Sequence, residues 1–260
     1  MATADSVKVK LQGLITKANE TTGNTDADLT TAVNALVAGF GQGGEDTSIE
    51  DGLVEGTLTT YRNDRITKVR SNAFYGCAEL SDVTFLNVTE VGGHAFEYSG
   101  CVTFFLPKLT TSGDSMFRNS KIVSVTDENI PMFSRFGNNS AFRDCAYLKY
   151  FQHSAEMDYG GRNIETCTVL EKVDIYAKSL TYYVFNNCKA LTALILRKSD
   201  SICTLSNTNA ITGTPIVNGT GYVYVPSSLI EEYKVATNWA TYADQFRAIE
   251  DYPEICEVGA

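Results

Sequence analysis

A phenylalanine recurs along this chain at a spacing too short for separate domains and too regular for accident. In "NAFYGCAEL", "GHAFEYSGC", "DSMFRNSKI", "NSAFRDCAYL" and "YYVFNNCKAL" it falls at Phe74, Phe96, Phe117, Phe142 and Phe185, and Ile164 of "RNIETCTVL" takes the same place. Consecutive anchors lie 22, 21, 25, 22 and 21 residues apart. Four units carry Cys three residues after the anchor (Cys77, Cys145, Cys167, Cys188) and Leu six after it (Leu80, Leu148, Leu170, Leu191). An apolar residue follows nine after, at Val83, Phe151, Val173 and Leu194. The Phe96 and Phe117 units are one residue shorter, with Ser99 and Ser120 in place of Cys, and Cys101, Phe104, Ile122 and Val125 as their apolar positions. A unit of this length cannot bury its apolar face alone, so copies must stack into a solenoid that places like residues in ladders.

Within each unit "DVTFL", "KVDIY" and "ALILR" alternate as half-buried strands do, with Val83/Phe85, Val173/Ile175 and Leu194/Leu196 directed inward. The alternation predicts an outward row of Thr84, Phe105, Gln152, Asp174, Tyr176, Ile195 and Arg197. Residues there are released from ladder packing. Phe105, Tyr176 and Arg197 are of the types enriched where partners bind, so these three, with Asp174 and Ile195 beside them, are the candidate ligand-binding residues.

The pattern A-F-x-x-C-x-x-L-x-x-V, preceded by stretches such as "ITKVRSNAF" and "VTEVGGHAF", resembles the BspA-type (Treponema-type) leucine-rich repeats of bacterial surface proteins and of phages of gut bacteria. The resemblance spans about residues 62–217. It implies a β-rich solenoid of the leucine-rich-repeat type, free of cofactor and metal, acting by binding. The third unit departs from the pattern, because "SVTDENIPMFSRFGNNSAF" inserts extra residues and a proline, which implies a loop or distorted coil. The segment from Gly219 is similar to those that close such arrays in Firmicutes and prophage proteins.

The two ends differ in kind from the repeat. Val7, Leu11, Leu14, Ile15 and Ala18 step at helical spacing, and Leu29, Val33, Leu36, Val37 and Phe40 repeat the same steps. Residues 1–44 are therefore expected to form a helical hairpin, 45–217 the solenoid and 218–260 a strand-plus-helix cap. The hairpin cannot bury much by itself and must dock on the first coil or on a partner. It resembles the helical N-terminal segments of phage tail and accessory proteins, which implies virion partners or further copies of this chain. In the cap, Tyr222–Val225 reads as the last strand, Ser228 and Glu231 as a capping box, and Trp239, Tyr242 and Phe246 as a cover for the open core.

Composition removes several function classes. With 21 basic against 31 acidic residues, a net charge of −10 and no basic cluster, nucleic acid and anionic membrane are poor partners. The N-terminus lacks a basic leader with an apolar run, and no stretch approaches a membrane span, so synthesis in a bacterial cytoplasm is expected. Seven Cys without C-x-x-C pairs fit neither a disulfide framework nor a zinc site. The four repeat-phase thiols read as buried, reduced and slow to react. His94 and His153 both fall where repeat variants would, and "SGDSM" around Ser115 sits in a turn with no catalytic partner in view. No enzyme is expected. The sequence favours a non-enzymatic phage virion protein, a tail fibre, tail or head accessory, that displays its repeat surface to a host protein or glycan. A bacterial cell-surface adhesin is the alternative.

Overall fold

The computed structural model describes residues 59–131, 133 and 139–256. The N-terminal hairpin and most of the insertion after Pro131 lie outside the described residues. The strands in chain order are β1 (Thr60–Arg62), β2 (Lys68–Val69), β3 (Asp82–Thr84), β4 (Glu90–Val91), β5 (Thr103–Phe105), β6 (Thr111–Ser112) and β7 (Ser124–Val125). There follow β8 (Tyr150–Tyr159), β9 (Lys172–Leu180), β10 (Ala193–Leu196), β11 (Thr204–Leu205), β12 (Tyr222–Val225) and β13 (Phe246–Ala248). Two short helices, α1 (Ile230–Val235) and α2 (Pro253–Cys256), follow β12 and β13. The whole is a solenoid of about eight turns.

Every strand pairing is parallel, as it must be when each coil repeats the path of the one before. One stack runs β1-β3-β5 and continues as β7-β8-β9-β10-β12-β13, the Val123 N–H reaching the Val102 carbonyl at 3.4 Å across the junction. A second stack, which the sequence reading did not anticipate, runs β2-β4-β6 along another face. β8 and β9 are long enough to pass through both positions, and β11 joins the far end of β9. The register sets Val83 beside Phe104, Val125 beside Phe151, and Val173 beside both Phe151 and Leu194. All are buried, as the alternation requires.

The anchors form the spine. Phe74, Phe96, Phe117, Phe142, Ile164 and Phe185 are fully buried, and consecutive rings stack at 4.9, 4.8 and 5.7 Å from Phe74 through Phe142. Each anchor is held by a turn with left-handed backbone two residues before and two after it. The residues before are Asn72, His94, Ser115, Ser140, Arg162 and Tyr183, and those after are Gly76, Tyr98, Asn119, Asp144, Thr166 and Asn187. For an L-residue this conformation costs about 1–2 kcal/mol. It persists because it aims backbone N–H groups along the solenoid axis: Asn72 donates to the Gly93 carbonyl at 3.0 Å, His94 to Asp114 at 2.7 Å and Tyr98 to Arg118 at 2.9 Å. The turns thus hydrogen-bond coil to coil as strands do. Gly113 serves the same stacking from the side, where a Cβ would meet the Gly93 nitrogen at 2.2 Å.

The cysteine ladder has a polar role that its reading as small hydrophobes omitted. Cys145, Cys167 and Cys188 each donate the thiol to an anchor carbonyl of the preceding coil, Phe117, Phe142 and Ile164, at 3.0, 3.1 and 3.1 Å. Ser120 takes the place in its own coil and contacts Cys145 Sγ at 3.6 Å. A small side chain with one donor fits this position. Outside the ladder, Arg118 bridges Glu97 and Asp144 at 3.3 and 3.2 Å, and Arg143 and Arg162 both reach Glu165, at 3.0 and 3.3 Å. All but the Arg162–Glu165 pair, which lies within one coil, tie successive coils together.

At the C-terminal end the cap differs from its sequence reading in two respects. β12 is not the last strand, since β13 adds another rung, with Phe246 beside Val223. Nor does the Ser228–Glu231 capping box form; α1 starts from Leu229 without a side-chain cap, and Glu250 instead accepts from the Ser227 N–H at 3.0 Å. Trp239, Tyr242 and Phe246 do cover the core. Tyr233 joins them, and the cover is fixed in position by Cys203, whose N–H donates to Tyr233 Oη and whose carbonyl accepts from Trp239 Nε1, both at 2.7 Å.

Candidate functional site

The outward face of the long parallel stack is the surface on which side chains escape ladder packing. Of the five residues read from the sequence as ligand-binding, Phe105 and Tyr176 stand exposed, at 40% and 37%. They are not brought together: three rungs separate β5 from β9, about 14 Å at ~4.8 Å per strand. Asp174 and Ile195 face outward in register, as alternation dictates, yet they are 2% and 0% exposed and do not meet solvent. Arg197 is held between them and the chain's own C-terminus.

The reason is that the chain returns. After β13 the segment through α2 crosses the outward face and builds a second, smaller core from Ala193, Ile195, Tyr224 and Cys256, with Tyr252 and Ile255 packed against it. Arg197 clamps this strap with a bidentate pair to Asp174, Nε to Oδ1 at 2.6 Å and Nη2 to Oδ2 at 2.7 Å, and Nη2 also donates to the Cys256 carbonyl. The Asp174 hydrogen bond holds the guanidinium pKa above its ordinary value, against the opposing effect of burial. Arg197 and Asp174 are therefore structural residues here, and Ile195 is a core residue. Alternation tells which side of a strand a residue faces, but not whether a distant segment lies over it.

Beside the strap lies an open groove of about 410 Å³. It is lined by Glu171, Lys172, Thr192 and Ala193, by Tyr222 and Tyr224 of the adjacent strand β12, and by Glu254 and Ile255 of α2. The Tyr222 ring is braced from one side by the Arg247 guanidinium, 4.2 Å from its centre. The Tyr224 ring is 6.5 Å from that of Tyr222 and 5.5 Å from Tyr252. Burial pushes the Tyr224 hydroxyl up to about 12. Lys172 sits 5.4 Å from the centre of the Tyr150 ring, and the Tyr150 hydroxyl is likewise pushed up to about 12, by burial first and by the Asp174 charge second. Among the described residues neither Glu171 nor Glu254 makes an ion pair. Sequence reasoning placed Tyr222 on a strand but did not mark this groove, because its walls come from segments up to 83 residues apart, Glu171 to Glu254.

The chemistry available elsewhere is limited. His94 Nδ1 lies 2.5 Å from Glu97, which Arg118 also engages, and His153 is buried at an inward strand position 3.8 Å from Asp127. Ser115 occupies a left-handed turn position and is 6% exposed. Burial raises the thiol pKa values of Cys101 and Cys167 and pushes that of Cys145 up to about 12, so none of these is poised as a nucleophile. Among the described residues no group of three or more His, Cys, Asp or Glu is placed to hold a metal.

The family model described as BspA type leucine rich repeat region matches residues 58–149 and 130–216, in six copies. Among solved structures, a leucine-rich repeat protein from Bacteroides ovatus superposes with a TM-score of 0.51 at 17% identity, over 74% of this chain and 54% of that one. The chain thus spans about half the length of that relative. The leucine-rich repeat protein of T. pallidum gives 0.45 at 18% identity over 58% and 74%. A leucine rich cell surface protein from Faecalibacterium prausnitzii gives 0.26 at 14% identity, over 79% and 84%. Identities this low speak to the fold alone. No curated protein matches the chain in sequence.

Proposed function

We propose that this chain, which belongs to the BspA-type leucine-rich-repeat family, is a non-enzymatic recognition protein whose outward sheet face binds a surface protein or glycan. The observation that carries this reading is the division of labour across the strands. Inward residues are consumed by ladders, whereas the outward face keeps Phe105 and Tyr176 exposed and adds an aromatic, polar-walled groove. Residues freed from packing on a rigid array are where a repeat protein can diversify its contacts.

The setting proposed is a bacteriophage virion, with residues 1–44 engaging virion proteins or other copies of the chain. Its support is the resemblance of the N-terminal and C-terminal segments to those of phage proteins. Family membership supports a second setting, the bacterial cell surface. Peptide mass spectrometry of purified phage particles and of washed cell envelopes from the same lysogen separates the two: peptides in the particles support the virion, and peptides confined to the envelope overturn it. For recognition itself, fluorescently labelled full-length protein is titrated onto bacterial cells, with Phe105→Ala/Tyr176→Ala as the variant. Weakened binding at an unchanged melting temperature is expected. Undiminished binding by the folded double variant places recognition off these two residues.

A further inference from the structure

We infer that the groove between β9, β12 and α2 binds a neutral sugar residue. This deepens the recognition role proposed above and rests on it. The volume of about 410 Å³ falls within the range of small-molecule sites and suits one or two monosaccharide units. The lining has what a sugar ring requires: a flat apolar surface for its C–H face and charged or hydroxyl groups around it for its hydroxyls. Tyr222 provides the surface. One face of the ring is held by Arg247, so the ring is already fixed before a ligand arrives and loses little freedom on binding. Glu171 and Glu254 line the groove as acceptors for hydroxyl protons, and the Thr192 and Thr220 hydroxyls, which donate to the Glu171 and Pro215 carbonyls at 3.5 and 3.3 Å, keep lone pairs to accept from a sugar.

The same carboxylates and aromatics would also suit a cationic side chain, and charge decides between the two. The Lys172 ammonium lines the groove and the Arg247 guanidinium sits against the Tyr222 ring, so a cationic ligand at this point meets two like charges. An anionic sugar fares no better, because Glu171 and Glu254 face it and the chain carries a net charge of −10. A neutral polyol is the ligand that all of these groups accept.

The test is saturation-transfer NMR with the full chain, using methyl galactoside, N-acetylglucosamine, rhamnose and maltose at about 10 mM, the range in which single-sugar sites of millimolar Kd report. A dilysine peptide and sialic acid serve as charged probes. At least one neutral sugar is expected to receive saturation, and Glu171→Gln, Glu254→Gln and Tyr222→Ala are each expected to weaken it about tenfold or more. The two Gln variants sit at the groove edge and keep the fold testable if Tyr222→Ala disturbs the strand. Saturation of the peptide or sialic acid alone, of no probe, or of a sugar that all three variants still bind equally overturns the inference. The recognition role fails separately: cells bound by wild type but no sugar in the groove leaves that role standing on another ligand.

Discussion

Phe142→Ala tests the ladder at its centre. The ring is fully buried, lies 5.7 Å from Phe117 at 13°, meets Phe151 edge-on at 5.8 Å, and has Phe104 at 6.4 Å. Losing its burial costs about 2–3 kcal/mol. If half of the roughly 100 Å³ vacated stays open, the void adds about 1 kcal/mol at ~24 cal/mol per Å³. The total is about 3–4 kcal/mol, within the range seen for buried Phe→Ala changes. Urea unfolding measures it, followed by far-UV circular dichroism for the whole stack and by fluorescence of Trp239, the only tryptophan, for the cap. With a slope of about 2–3 kcal/mol per molar urea, the circular dichroism midpoint should fall by about 1–2 M. Because each coil contacts only its neighbours, the cap signal should shift less than the bulk signal once the middle is weakened. Tyr147→Ala, at a residue 56% exposed, is the control and should stay within about 0.5 kcal/mol. A Phe142→Ala shift below about 1 kcal/mol, or one equal to the control, refutes the ladder as the source of stability.

Arg197→Ala leaves the Asp174 carboxylate buried without its partner and frees the strap; a loss of about 3–5 kcal/mol in urea unfolding is expected, with faster hydrogen exchange at Ile255 and Cys256. His153 has its pKa lowered by burial, partly offset by Asp127, so the unfolded chain takes up its proton first as pH falls. Stability contributed by the neutral ring is therefore full above about pH 6.5 and declines below it, by at most ~1.4 kcal/mol per pH unit until the folded-state pKa is reached. His153→Gln should flatten the dependence of the urea midpoint in that window. Among the described cysteines, Cys77 is the least buried and should react with a thiol reagent well before Cys101, Cys145, Cys167, Cys188 and Cys203, which should wait for unfolding. Mass spectrometry of partially alkylated protein checks the order, and early labelling of Cys145 or Cys167 contradicts it.

The repeat alone determined the solenoid, its interior and its ladders. Spacing of Phe, Cys and Leu is a local property of sequence, and a unit too short to bury its own apolar face leaves stacking as the one outcome. The left-handed residues at two before and two after each anchor were also legible in part, since Asn, Asp, Ser or Gly fills seven of those twelve positions. His94, Tyr98, Arg162, Thr166, Tyr183 have no such intrinsic leaning, save His94 mildly, and are held there by the hydrogen bonds of adjoining coils. The second sheet was hidden because two-residue strands such as Glu90–Val91 show no alternation. Tertiary structure alone decided the fate of the outward face. Period-two patterning gave Asp174, Ile195 and Arg197 the same direction as Tyr176, and in that it was right. What covers them is a segment some 60–80 residues later in the chain, whose own sequence names no target. A strand encodes its two faces locally, but solvent reaches a face only if nothing distant packs on it, and that depends on where the chain goes next.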